Sequence, residues 1–131
     1  MNSSEQYSQF IKPSWAPPAY LFGPVWAVLY LIIIISFSAV FYKVLNSSIP
    51  KIVALPFILN IIFNLLFSYL QFGLKNNILA SIDIFLVLAT LIWALIVIYP
   101  YMPIVTYVNI PYLIWIIFAF ILQLTITYLN W

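Results

Sequence analysis

A chain of 131 residues that is 67% apolar and 20% aromatic, with four basic and two acidic side chains, has too little polar surface to cover a water-soluble globule. Lacking cysteine and histidine, it excludes a disulfide framework, a thiolate nucleophile, and imidazole as general base, metal ligand or haem ligand. A net charge of +2 on scattered lysines makes no basic patch, so nucleic acid is not an expected partner.

Uncharged stretches over 19–42, 52–74 and 84–131 hold enough length for four bilayer crossings of roughly 20 residues each. Residues 1–17 read as an interfacial arm and loop that lacks the basic start and apolar core of a signal peptide, with Lys12, Pro13 and Trp15 at headgroup depth. Pro17 and Pro18 set an extended approach to a first helix over about 18–45, whose regular part Pro24 either opens or kinks. Asn46, Ser47, Ser48 and Pro50 turn the chain into a second helix over about 51–73. Gly73 ends it, and the polar run from Lys75 to Asn77 caps a third helix over about 77–99. Pro100 and Pro103 break the pattern before a fourth segment, 103–130. That segment exceeds a bilayer's need and contains Asn109 and Pro111, so its first turns lie in the interface or tilt.

The expected fold is therefore an all-α membrane protein, a four-transmembrane-helix bundle with both termini on the same side. Lys12 and Lys75 fall on that side and Lys43 and Lys51 on the other, so the positive-inside rule gives no orientation.

Polar side chains in hydrocarbon are costly and usually face the bundle interior. Asn60, Asn64, Ser68 and Gln71 recur at spacings that keep them within a wedge of roughly 80° on the second helix. The third helix places Ala80, Asp83, Thr90 and Ala94 on one face, the fourth Tyr112, Trp115, Ala119 and Gln123, and the first Trp26, Tyr30 and Phe37. With sequential helices as antiparallel neighbours, Asp83 comes level with Ser68, Trp26 with Gln71, and Gln123 nearly so. The bland reading is interhelical hydrogen-bond glue and belt tryptophans. Asp83 resists it, because a carboxylate inside a span costs ~2.5–3.5 kcal/mol and no lysine lies within reach in the spans. Ser68 or Gln71, protonation, water or a ligand must satisfy it.

Four blocks of sequence carry a resemblance. KPSWAPPAYLFGPVWAVLY at 12–30, NLLFSYLQFGL at 64–74, ASIDIFLV at 80–87 and PYLIWIIFAFILQ at 111–123 are similar to the tryptophan-rich sensory protein family. It is also called the translocator protein or peripheral benzodiazepine receptor family (TspO/MBR). The resemblance implies a five-helix, commonly dimeric membrane bundle that binds porphyrins, cholesterol-like lipids and aromatic drugs beneath its first loop. This chain starts in that loop, so the expectation is the family bundle minus its first helix. By the same resemblance Trp15, Pro17, Pro18 and Trp26 match the loop and pocket mouth, Asn64 and Asp83 the polar pocket groups, and Trp115 and Ala119 the deep aromatic wall. The chain departs from the family at Phe67, where tryptophan is usual, and at Gln123, where asparagine is usual. The last helix also lacks the basic end of a cholesterol-contact pattern.

These readings converge on a receptor or sensor for a planar hydrophobic ligand, a porphyrin first and a sterol-like lipid or drug second. Its ligand-binding residues are Trp15, Pro17, Pro18, Trp26, Tyr30, Asn64, Ser68, Asp83, Trp115, Ala119 and Gln123. No metal or resident cofactor is expected; porphyrin or haem enters as ligand, with Lys12 as counter-ion for its propionates. Two alternatives remain open: light-dependent porphyrin degradation through Trp26 and Trp115, and transport of a small molecule with Asp83 as the embedded carboxylate. A missing helix leaves one flank open to lipid, which predicts a homo-oligomer in contact through Ser36, Ala39, Ala80, Ala89 or Ala94.

Overall fold

The computed structural model describes residues 13–74 and 76–130, apart from the side chains of Ala19, Ser68, Gln71 and Phe72. The expectations for residues 1–12, Lys12 included, and for Lys75 lie outside the described residues. So do those that concern the side chains of Ser68 and Gln71.

In lipid a backbone must satisfy its own hydrogen bonds, and the described chain does so with helices alone. A single 3-10 turn, Ala19–Leu21, leads into α1, Phe22–Leu45. Pro24 falls in the first turn of α1, where an amide would have no helical acceptor, so it opens the helix instead of kinking it. The chain reverses over Asn46–Pro50: Ser47 adopts φ 65°, and Asn46 Oδ1 accepts from the Ser48 hydroxyl at 2.6 Å. A second 3-10 turn, Lys51–Val53, precedes α2, Ala54–Ser68, and a π-helical turn, Tyr69–Gly73, extends it. Helical backbone thus continues from Lys51 to Gly73.

Helix α3 spans Asn77–Ile98 and is capped by Asn76, whose Oδ1 accepts from the Leu79 amide at 2.9 Å. The last segment is two helices, α4 at Pro103–Val108 and α5 at Ile110–Leu129. The break falls on Asn109, at φ −94° and ψ 4°, with Pro111 in the first turn of α5. Helices α1, α3 and α5 are each long and apolar enough to cross a bilayer, and α2 is a shorter apolar helix.

The bundle is not evenly packed. Helix α3 lies against α2 on one side and α5 on the other, and the fully buried Ala80 and Ala94 let those backbones approach closely. Helix α1 stands off from this core and is held by side chains. Phe37 meets Phe57 edge-on at 4.8 Å, and the Asn109 amide donates to the Ser36 hydroxyl at 3.0 Å. Ser36, Ala80 and Ala94, predicted to form a contact between copies, are buried inside the chain itself. Only Ala39 and Ala89 of that set reach the surface. The outer faces are large and apolar, with Ile34, Ile35, Leu65, Ile96 and Ile114 each more than 60% exposed, as an acyl-chain solvent demands.

Candidate ligand-binding site

A directional chain of hydrogen bonds crosses the bundle. The Tyr30 hydroxyl on α1 donates to Asn64 Oδ1 on α2 at 3.0 Å, and Asn64 Nδ2 donates to the Tyr112 hydroxyl on α5 at 2.7 Å. Tyr112 in turn donates to Asn60 Oδ1 at 2.9 Å. Asn60 Nδ2 finishes the chain on α3, at the Val87 carbonyl (2.9 Å) and Thr90 Oγ1 (3.3 Å). One asparagine pair thus ties α1, α2, α3 and α5 together. Its members are satisfied in sequence, the condition under which a buried polar network specifies a single packing. Asn60 and Tyr112 are sealed off, whereas Tyr30 is 39% exposed. The outer end of the chain is its reachable end.

Next to this chain the wide spacing of α1 is filled by rings. Trp26 meets Trp115 edge-to-face at 6.5 Å, Phe22 meets Trp115 at 5.8 Å, and Trp26 lies 5.3 Å from Tyr30. The approach loop joins the cluster through Trp15, edge-on to Phe118 at 5.8 Å, and Phe118 in turn lies 5.5 Å from Trp115. Such rings offer stacking faces of large apolar area. Ala119, half-buried, lies one turn beyond Trp115 on α5.

Among the described residues three side chains carry buried polar atoms without a hydrogen-bond partner, and one of them, Asn109 with its Oδ1, lies away from the rings at the α4–α5 break. Both carboxyl oxygens of Asp83 are buried without a hydrogen-bond partner, as is Trp115 Nε1, and Asp83 is only 2% exposed. Leaving such groups unmatched costs about 1–3 kcal/mol each, and more for a charge. Asp83 therefore offers a spare acceptor and Trp115 a spare donor. Among the described residues no group of three or more histidine, cysteine or acidic side chains could hold a metal ion.

Of the predicted site residues, Trp15, Trp26, Tyr30, Asn64 and Trp115 belong to one connected set of ring and hydrogen-bond contacts. Pro17 and Pro18 lie on the approach loop, half-buried and exposed respectively. Asp83 lies on the buried face of α3 with Ala80 and Val87. Ser68 is the last residue of α2. Gln123 belongs to a different cluster: its Nε2 donates to Thr127 Oγ1 at 3.1 Å, and that hydroxyl also meets Ser81 at 2.7 Å and the Asn77 carbonyl at 3.2 Å. Its amide nitrogen is thereby engaged in joining α5 to the start of α3. The site list omitted Asn60, Tyr112, Phe22 and Phe118. The four-residue step from Asn60 to Asn64 already carried the first, and Tyr112 shared a helix face with Trp115.

A groove of about 320 Å³ opens between α1 and α2, and Tyr30, Phe37, Asn60 and Asn64 are among its lining residues. The hydrogen-bond chain is thus also the polar part of a lipid-facing trough.

Comparison with known proteins agrees with this architecture. The TspO/MBR family model matches residues 1–129. Over 95% of its length the chain is 36% identical to a protein of Bacillus cereus named tryptophan-rich protein TspO, covering 76% of that relative. It is 35% identical to an uncharacterized membrane protein, YtaB, of Bacillus subtilis, over 96% of this chain and 81% of the relative. A tryptophan-rich protein TspO of Archaeoglobus fulgidus is 34% identical over 95% of this chain and 79% of its own length. With its apolar helices, its tryptophan cluster and a match over nearly its full length, the chain belongs to the TspO/MBR family of integral membrane proteins.

Proposed function

We propose that the protein is a membrane receptor for a planar hydrophobic ligand, a porphyrin foremost, held against the Trp26–Trp115 pair with Asp83 and Asn64 as its polar contacts. The observation that carries this reading is an aromatic cluster joined to the approach loop through Trp15, together with a buried acceptor at Asp83 on α3 and a buried donor at Trp115 Nε1 that have no partner among the described residues. A static anchor gains nothing from burying unmatched groups; a site that completes them with a ligand does. Asn64 has both ends of its amide committed, so a ligand reaches it by displacing the exposed Tyr30 hydroxyl. Trp15, Pro17 and Pro18 form the lid in this reading, and Ala119 the floor.

The ligand's class follows from the donor set. With no histidine or cysteine in the chain, binding rests on ring stacking and hydrogen bonds, not on axial coordination of a metal by those side chains. A metal-free porphyrin presents pyrrole N–H donors that suit an unpaired carboxyl group. Sterol-like lipid and drug are the secondary ligands. A homo-oligomer closes the side of the site that α1 and α2 leave open to lipid.

Titration of the purified protein with metal-free protoporphyrin, haem and a sterol under one set of conditions tests the proposal. Saturable porphyrin binding that weakens with Trp26→Phe or Trp115→Phe is the expected result. Binding that neither replacement changes would sink it.

The 6.5 Å Trp26–Trp115 contact also favours a second reading, light-dependent degradation of the bound porphyrin with these indoles as photochemical partners. Its signature is loss of porphyrin absorbance under illumination with the native chain and not with Trp115→Phe.

A further inference from the structure

Lys43 and Lys51 stand at one end of the bundle with nothing beside them to neutralise their charge. Lys43 lies in the last turn of α1, and Lys51 opens the helical run that continues through α2. Both are exposed. The Ser48 and Ile49 amides donate to the Lys43 carbonyl at 2.9 and 3.3 Å, so the chain folds back over the end of α1 and brings Lys51 to the same rim. Among the described residues Asp83 is the one carboxyl side chain; it lies within the first two turns of α3, toward the other end of the bundle, and is unpaired. A cation suits the last turn of a helix and is disfavoured in the first. Lys51 therefore gains nothing from its own helix.

The neighbouring residues fix the depth of this rim. Leu45 and Ile52, on either side of the turn, are 85% and 67% exposed, and such side chains keep the turn against the bilayer instead of lifting it into water. Asn60 on α2 meets Val87 and Thr90 on the antiparallel α3, and Lys51 lies as far before Asn60 as Tyr99 lies after Thr90. The exposed hydroxyls of Tyr99 and Tyr107, 3.3 Å apart, thus mark the same level, and tyrosines of this kind gather at headgroup depth. From there a lysine extends its apolar stem along the protein and places its ammonium group among lipid phosphates.

We propose that Lys43 and Lys51 form a binding surface for the headgroup of an anionic phospholipid, one phosphate being shared by the two ammonium groups. Charge and depth commit the surface to this partner. A zwitterionic headgroup carries its own cation beside the phosphate, whereas an anionic one leaves the phosphate's charge to be met by lysine. The surface lies at the end of the chain remote from Trp15 and Asp83 and does not rest on the ligand reading, so either can fail without the other.

The test is the preference of the full chain for spin-labelled phosphatidylglycerol over spin-labelled phosphatidylcholine at its lipid-facing surface, measured in vesicles of unlabelled phosphatidylcholine at low salt. A lysine near an anionic headgroup is worth roughly 5-fold, so the native chain is expected to prefer phosphatidylglycerol by roughly 5- to 25-fold. Lys51→Gln should lower the preference roughly 5-fold, Lys43→Gln with Lys51→Gln should remove most of it, and Lys43→Arg with Lys51→Arg should keep it. Lys12→Gln with Lys75→Gln removes the same formal charge and should leave most of the preference in place. Equal losses in the two glutamine pairs, or no preference in the native chain, would overturn the proposal. Inorganic phosphate, compared with chloride at equal ionic strength, should leave the preference unchanged; a loss specific to phosphate would assign the lysines to a soluble anion and overturn the lipid assignment.

Discussion

Asn64 and Tyr112 form the shortest link of the chain that joins α1, α2, α3 and α5, with Asn64 Nδ2 donating to the Tyr112 hydroxyl at 2.7 Å. Because the Tyr112 hydroxyl itself donates to Asn60 Oδ1, one hydroxyl satisfies two asparagines. Tyr112→Phe keeps the ring and strands Asn64 Nδ2 and Asn60 Oδ1 together. The expected cost is about 1–3 kcal/mol of stability, measured by thermal unfolding in detergent. Tyr30→Phe removes the exposed end of the same chain and should cost less than half as much.

Asp83 is expected to divide stability from binding. It has no partner to lose among the described residues, and a carboxylate inside a span is itself unfavourable by ~2.5–3.5 kcal/mol. Asp83→Leu should therefore raise the unfolding temperature, while lowering porphyrin affinity about 10-fold or more through loss of an acceptor. Asp83→Asn keeps an acceptor oxygen and should retain most of the binding. A drop in stability for both variants would mean that the carboxyl group is structural.

At the break between α4 and α5, Asn109 donates to Ser36 Oγ at 3.0 Å and to the Val105 carbonyl at 2.8 Å. It is the polar tether that fastens the distal half of α1. Asn109→Ala should destabilise the fold by about 1–2 kcal/mol and increase hydrogen exchange in residues 36–45, leaving the end that carries Trp26 and Trp115 unaffected. Exchange that rises equally along α1 would contradict this local role.

The inward faces of α2 and α3 were legible in the sequence because polar groups in hydrocarbon have only one place to go. Asn60, Asn64, Asp83 and Thr90, set at helical spacing, all prove to be buried. The apolar faces were not legible in this way. Lipid and protein core select the same side chains, so on α1 only Tyr30 and Phe37 marked the flank that meets α2, and the aliphatic residues between Val28 and Phe41 do not tell which flank is left open. The same ambiguity misassigned Ser36, Ala80 and Ala94 to a contact between copies, since small residues serve close packing within a chain as well as between chains. Gln123 was placed at the site by helix face and depth; its hydrogen bond to Thr127 lies within α5, and the bonds from Thr127 to Ser81 and the Asn77 carbonyl depend on α5 returning beside the start of α3. The aromatic cluster was visible as composition, yet the pairing of Trp15 with Phe118 requires the loop to fold back over α5, which no periodicity encodes.

The central claim is that a porphyrin occupies the space beside Trp115. In the cysteine-free background, Ala119→Cys puts a thiol one turn from Trp115, and Ala89→Cys puts one on the exposed face of α3. The decisive measurement is the rate at which a small apolar maleimide modifies each thiol, with and without saturating metal-free protoporphyrin. Protection at position 119 with no change at position 89 is the predicted result. Equal modification at position 119 with and without porphyrin would contradict the account.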